Sequence, residues 1–180
     1  MTPKTLPLRE NNLNNTNNTQ KKTHLMKTAL KLAFNKLHIF ISTDNTKVAF
    51  YAALSNAGHV GPYNMDIILA FNKLYTNVGN AYNSATGFFT APVHGVYSFQ
   101  FTVCGSLFGN VGVFMLKNNQ IIMHNYEWKE DAAFEYITNS VTLELFAGEL
   151  IHMRLPAGSS VYDNINSHST FSGSLLFTID

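Results

Sequence analysis

At 180 residues and 20.1 kDa the chain has the length of one principal domain with an appendage. Its 46% hydrophobic and 13% charged residues, against roughly 25% charged in an average globular protein, exclude a mainly disordered chain and argue against a pure coiled coil. The net charge of +1 hides a division. Residues 1–46 carry seven Lys and Arg against Glu10 and Asp44, a balance of +5, whereas residues 47–180 carry five against nine, a balance of −4.

Residues 11–18 read NNLNNTNN, a polar stretch with nothing to bury, and disorder is expected over residues 1–22. Asn14 and Asn17 each begin an Asn-x-Thr acceptor sequence for glycosylation, usable only in a chain that enters the secretory route. Residues 24–41 place Lys27, Lys31, Asn35 and His38 at helical spacing among Leu, Ala, Phe and Ile, which predicts an amphipathic helix. Lys27, Lys31 and Lys36 interrupt it too often for a transmembrane span, and it lacks the unbroken apolar run of a signal peptide. Three readings stay open: a helix packed on the domain or on copies of itself, a basic helix active at membranes, or upstream sequence joined to a truncated gene.

From Lys47 the apolar residues alternate with period two, as in half-buried strands. Val48, Phe50, Ala52 and Leu54 face one way. Tyr97, Phe99, Phe101 and Val103 alternate with Val96, Ser98, Gln100 and Thr102. Val111–Lys117, Gln120–Asn125, Phe134–Phe146, Leu150–Leu155 and Thr170–Ile179 repeat the pattern, with turn residues between them. Many short strands at regular spacing predict an all-β antiparallel sandwich or barrel over residues 47–180, preceded by the extension 1–46. The five cations after residue 46 cannot build a phosphate-tracking patch, so nucleic acid is not the expected partner. Cys104 is the sole cysteine, which excludes an internal disulfide framework and reads as a buried thiol in a strand.

Between residues 71 and 101 lie Phe71, Asn77, Tyr82, Phe89, Gly95, Tyr97, Phe99 and Phe101, separated in turn by five, four, six, five, one, one and one residues. This spacing resembles the aromatic signature of the C1q globular domain at every position. The S-T-F-S-G tract with Phe171 and Gly173 resembles the closing strand of the same family, and the likeness covers about residues 47–180. Closest in texture are secreted complement C1q-like and cerebellin-like proteins. The resemblance implies a ten-stranded jelly roll related to tumour necrosis factor, assembled as a homotrimer. No Gly-X-Y repeat is present, so the collagen stalk of some members is missing from this sequence. The signature residues are read as packing residues: Tyr97, Phe99 and Phe101 enter one core layer, and Gly95 stands where a side chain would obstruct or a positive φ be needed.

No G-x-S-x-G, H-E-x-x-H, P-loop or Rossmann pattern occurs, so no catalytic residue or cofactor is expected and the chain is not read as an enzyme. His94, His124, His152 and His168 are expected to be surface or hydrogen-bonded histidines. Tyr126 and Trp128, beside Glu127, Glu130 and Asp131, form a candidate recognition loop, since exposed aromatic residues make binding hot spots. Some relatives hold calcium near the trimer apex. Asp66, Asp163, Asn164 and Asn166 are loop oxygen donors without a recognisable liganding pattern, and their ordinary role is in turns. The resemblance therefore implies a secreted, non-enzymatic recognition module binding protein, glycan or particle surfaces multivalently, in innate recognition or cell-surface and synaptic organisation. The alternative is a structural trimerisation head of a larger extracellular assembly.

Overall fold

The structure is a computed structural model that describes residues 8–43, 46–128 and 133–179, and the chain divides into two units between Asn45 and Thr46. The first unit is one helix, α1, Leu8–Thr43. It corrects the expected disorder of residues 1–22 from Leu8 onward; residues 1–7 lie outside the described residues. Nucleation is the costly step and each further residue adds a hydrogen bond, so weak helix formers such as Asn extend a helix that the better formers of residues 24–34 sustain. Every side chain from Thr19 to Lys36 is exposed. Among them Leu25, Met26, Leu30, Leu32 and Phe34 are 59–77% exposed, so this apolar surface packs on nothing within its own unit.

The second unit contains thirteen described strands: β1 Ala49–Ala53, β2 Gly58–Val60, β3 Ile67–Leu69, β4 Lys73–Val78, β5 Tyr82–Asn83, β6 Phe88–Thr90, β7 Gly95–Gly105, β8 Val111–Lys117, β9 Gln120–Glu127, β10 Tyr136–Leu145, β11 Leu150–Leu155, β12 Val161–Asp163 and β13 Thr170–Thr178. The number exceeds ten because several are segments of two or three residues that pair only briefly. All named strand pairings are antiparallel. In the first sheet β7 is the hub. It pairs with β10 from Tyr136↔Cys104 to Leu145↔Gly95 and with β13 from Thr170↔Thr102 to Thr178↔Gly95, while β1 and β4 continue beyond β13 and β12 with β2 joins at Cys104 and Gly105. The second sheet runs β5-β6-β11-β8-β9, with β3 also on β11.

Alternation sends Tyr97, Phe99, Phe101 and Val103 of β7 inward, each at most 1% exposed, against Val111, Val113 and Met115 of β8 and Ile151, Met153 and Leu155 of β11. Phe50 stacks on Tyr82 with centroids 4.5 Å apart and meets Phe171 edge-on at 5.0 Å; Phe89 meets Phe99 at 5.0 Å. Each fully buried ring contributes about 1.5–3 kcal/mol from burial, with further stabilisation from edge-on geometry. These two sheets around one apolar layer form an antiparallel jelly roll.

Candidate functional site

The signature residues come from β4, β5, β6, β7 and β13 and from the segment before β4. Phe71, Tyr82, Phe89, Gly95, Tyr97, Phe99, Phe101, Phe171 and Gly173 are buried, and Asn77 is half-buried. The Tyr82 hydroxyl accepts a hydrogen bond from the Phe71 N–H at 3.0 Å and donates one to the Phe71 carbonyl at 3.3 Å. Asn77 Nδ2 donates to the Tyr82 carbonyl at 2.8 Å, and its Oδ1 accepts from the Tyr82 N–H at 3.3 Å. The four-residue interval between Asn77 and Tyr82 is thus the length of a turn closed by one side-chain amide. Burial, offset in part by the Phe71 hydrogen bond, pushes the Tyr82 phenol up to about 12. Close approach is what Gly95 answers: an added Cβ would lie 2.6 Å from the Phe177 carbonyl oxygen and 2.7 Å from a Leu175 methyl.

At one end of the sandwich the loop after β12 is organised by Asp163, whose side chain is wholly buried. Its Oδ1 accepts from the N–H groups of Asn164, His168 and Ser169 at 2.9, 2.7 and 3.4 Å, and its Oδ2 accepts from Ser55 N–H at 3.0 Å. Lys73 Nζ stands 3.5 Å from Oδ2. Asn164 Oδ1 accepts from Asn166 N–H, and Asp66 Oδ1 accepts from Ala157 N–H. Both Asp163 oxygens, Asn164 Oδ1 and Asp66 Oδ1 thus accept from backbone N–H groups, as turn residues do. Among the described residues no cluster of three His, Cys, Asp or Glu is placed to hold a metal.

His94, His124, His152 and His168 occupy different settings. His94 stacks on Phe146 at 4.3 Å with its Nε2 2.9 Å from Glu144 Oε1, and His168 Nδ1 shares a hydrogen with the Tyr136 hydroxyl at 2.7 Å. His124 lies within β9 and is exposed. His152 is 1% exposed, and neither ring nitrogen has a hydrogen-bond partner. That corrects the expectation of a surface or hydrogen-bonded ring: Phe88 of β6 packs over it at 4.5 Å. Burial first, then the positive charge of Arg154, hold its imidazole below the ordinary histidine value.

Tyr126 and Trp128 are not both in a loop. Tyr126 belongs to β9 and is half-buried, its hydroxyl accepting from Asn110 Nδ2 at 2.6 Å. Trp128 follows the strand, 71% exposed, and meets Tyr126 edge-on at 5.1 Å. Glu130 and Asp131 lie outside the described residues, as do the side chains of Asn14 and Asn17. Cys104 is buried on the outward side of β7, beneath Tyr136 of β10, whose phenol is raised first by burial and then by the thiol beside it.

On the outward face of the first sheet, small hydroxyl residues dominate, Ser98 of β7, Ser172 and Ser174 of β13, and Ser140 and Thr142 of β10, with the amide Gln100 among them. Tyr51, Tyr75 and Tyr136 stand 42%, 58% and 54% exposed around them. The jelly roll thus presents an open, weakly polar sheet face framed by tyrosines, and its fold is that of solved C1q and tumour necrosis factor-type domains. The globular domain of zebrafish complement 1qA superposes with a TM-score of 0.60 at 20% identity, over 74% of this chain and all of that one. Eiger TNF from S. frugiperda gives 0.59 at 10% identity over 76% and 96%, and murine APRIL 0.57 at 9% identity over 72% and 99%. The C1q domain profile matches residues 49–176, so the chain belongs to the C1q domain family. Zebrafish Caprin-2 is 31% identical over 143 residues, covering 78% of this chain; the chain spans only 15% of that protein. C1q and TNF-like domains form trimers and C1q-domain proteins are generally extracellular. No described helix is long and apolar enough to cross a membrane.

Proposed function

We propose that this protein is a secreted, non-enzymatic recognition module that acts as a homotrimer and binds protein, glycan or particle surfaces multivalently. The observation that carries the reading is the outward face of the first sheet. It leaves Tyr51, Tyr75 and Tyr136 about half in water in a monomer, and a closed three-fold assembly removes such a face from solvent without leaving an edge. Three copies held together engage a multivalent target with an avidity that exceeds the single-site affinity by roughly 10²–10⁴. That gain suits recognition of repetitive surfaces, in innate immunity or in organising cell-surface contacts.

A second reading, a structural head for a larger extracellular assembly, is favoured by the exposed apolar residues of α1, which a bundle of helices from several copies would cover. Light scattering on the full chain and on a fragment beginning at Lys47, with both applied to glycan and cell-surface arrays, separates the two. The recognition reading expects trimers from both and array binding by the fragment. Higher multimers from the full chain alone, with no array binding by either, would replace it with the structural reading. A monomeric full chain would remove both.

A further inference from the structure

The outer face of the second sheet carries a continuous row across four strands. Ile68 of β3 is opposite Arg154 of β11, Arg154 opposite Phe114 of β8, and Phe114 opposite His124 of β9. Directly paired residues share a face, and so do residues two apart on a strand. The row on one side is therefore Gly112 opposite Tyr126, and the row on the other is Phe88, His152 and Leu116. Gly112 gives Tyr126 its seat, since a Cβ there would come within 2.8 Å of the phenol ring. From the centre of the face the rings form a ladder: Phe114 to His124 at 4.5 Å, His124 to Tyr126 at 5.7 Å, and Tyr126 to Trp128 at 5.1 Å. Three of its four rungs sit on strands, so the surface is built on rigid elements rather than on a loop.

Across these rows the one formal charge is Arg154. It is half-buried, and among the described residues it has neither an ion pair nor a hydrogen bond. A guanidinium drawn partly out of water without an anion is unfavourable, and its planar fork matches a carboxylate. Its register partners are Ile68 and Phe114, His152 is the next residue on its own strand and face, and no Lys, Asp or Glu is among the residues named in the three rows. Aromatic residues with Arg, and few other charges, are the composition of protein–protein interface centres; Trp, Tyr and Arg are the hot-spot types. A polyanion such as nucleic acid would need a cluster of cations that this face lacks.

We propose that this face, centred on Arg154 and the Phe114–His124–Tyr126–Trp128 ladder, docks a protein partner that presents a carboxylate side chain to Arg154 and apolar side chains to the rings. The inference rests on the recognition-module reading and gives it a surface.

The test uses the full chain and a panel of immobilised synthetic peptides that place Asp or Glu beside Leu, Phe or Trp, each with its Asn or Gln counterpart. The expected result is that acid peptides bind and their amide counterparts bind about tenfold more weakly. Arg154→Gln erases that acid-to-amide ratio and Arg154→Lys restores part of it. Trp128→Ala weakens both peptides of a pair by a similar factor. The acid-to-amide contrast on the unmodified chain, together with the exposed Trp128→Ala change, decides the matter even where Arg154→Gln lowers stability. The assignment is overturned by panel-wide failure to bind, by equal binding of acid and amide peptides, or by capture of carboxylated glycans instead of peptides. It is also overturned by a change of oligomeric mass in Trp128→Ala, which would make the face a contact between copies. Array binding that survives Arg154→Gln and Trp128→Ala would reject this face and leave the recognition reading standing.

Discussion

The hydroxyl of Tyr82 clasps the backbone of Phe71 on both sides, accepting from its N–H at 3.0 Å and donating to its carbonyl at 3.3 Å, eleven residues back along the chain. Phe71 is wholly buried, so no water replaces that hydroxyl. Tyr82→Phe keeps the stack on Phe50 and strands a buried donor and acceptor, a loss of about 1–3 kcal/mol that urea denaturation at pH 7.5 measures. The same phenol has a pH signature. Its pKa is raised from 10.0 to about 12, so the folded state holds the proton after the unfolded chain has released it. Stability from this group is complete below pH 10 and declines as pH rises from 10 towards 12, a decline that Tyr82→Phe should lack.

Gly173 is where β13 passes closest to the core rings. A Cβ there would lie 2.5 and 2.7 Å from two Phe99 ring atoms and 2.7 Å from Phe50. Neither ring has room to retreat, since Phe99 is held by Phe89 and Phe171 and Phe50 by Tyr82. Gly173→Ala should therefore destabilise by about 1–3 kcal/mol through overpacking, read as a lower melting temperature with an unchanged far-UV spectrum. Ser172→Ala, one residue away on the outward face, should stay within about 0.5 kcal/mol of the parent.

The contrast between these residues shows what the chain discloses by itself. The alternation of Tyr97, Phe99 and Phe101 announces a strand and its inward face, and Phe71, Asn77 and Tyr82 announce their family, because both signals are local spacings. Segments such as β3 and β5 are too short for any period to register, and they become strands only through partners elsewhere: Leu69 on Met153, Tyr82 on Phe89. His152 alternates outward like a surface residue, and what buries it is Phe88, sixty-four positions away. Arg154 is unremarkable in the sequence; its isolation is visible only once β3 and β8 lie beside it. The Asn run reads as unstructured because residue propensity carries no information about a helix propagating into it from a neighbouring segment.

His152 makes an acid-sensitive point in the second sheet. Phe88 and Leu116 flank it, Arg154 is the charged group on its own strand and face, and both its nitrogens lack partners. Its folded-state pKa is depressed, so below the ordinary histidine value of 6.5 the unfolded chain takes up a proton that the folded domain resists. This group leaves stability unaffected well above pH 6.5 and reduces it progressively as pH falls from 6.5 towards the depressed value. Other groups also titrate there, so the informative quantity is the difference from His152→Leu. That variant should be at least as stable as the parent at pH 7.5, because it removes buried unpaired nitrogens, and its advantage should widen as the urea midpoint is followed down to pH 5.

Asp163 holds one end of the sandwich together by a route that crosses most of the chain. Its carboxylate binds Ser55, 108 positions away, together with Asn164, His168 and Ser169, with Lys73 as the neutralising charge. Three of those N–H groups converge on Oδ1 and the fourth on Oδ2. In Asp163→Asn the amide must turn its NH₂ towards one set of donors, and Lys73 loses its counter-charge. The expected cost is about 3–5 kcal/mol, the range for breaking a buried ion pair from one side. Lys73→Met should cost less, because four backbone donors still satisfy the carboxylate. Amide hydrogen exchange distinguishes a local effect from a global one. In Asp163→Asn the amides of Ser55, His168 and Ser169 should lose protection ahead of the central β7 amides, and equal loss at both would mean that Asp163 supports the whole sandwich rather than this end of it.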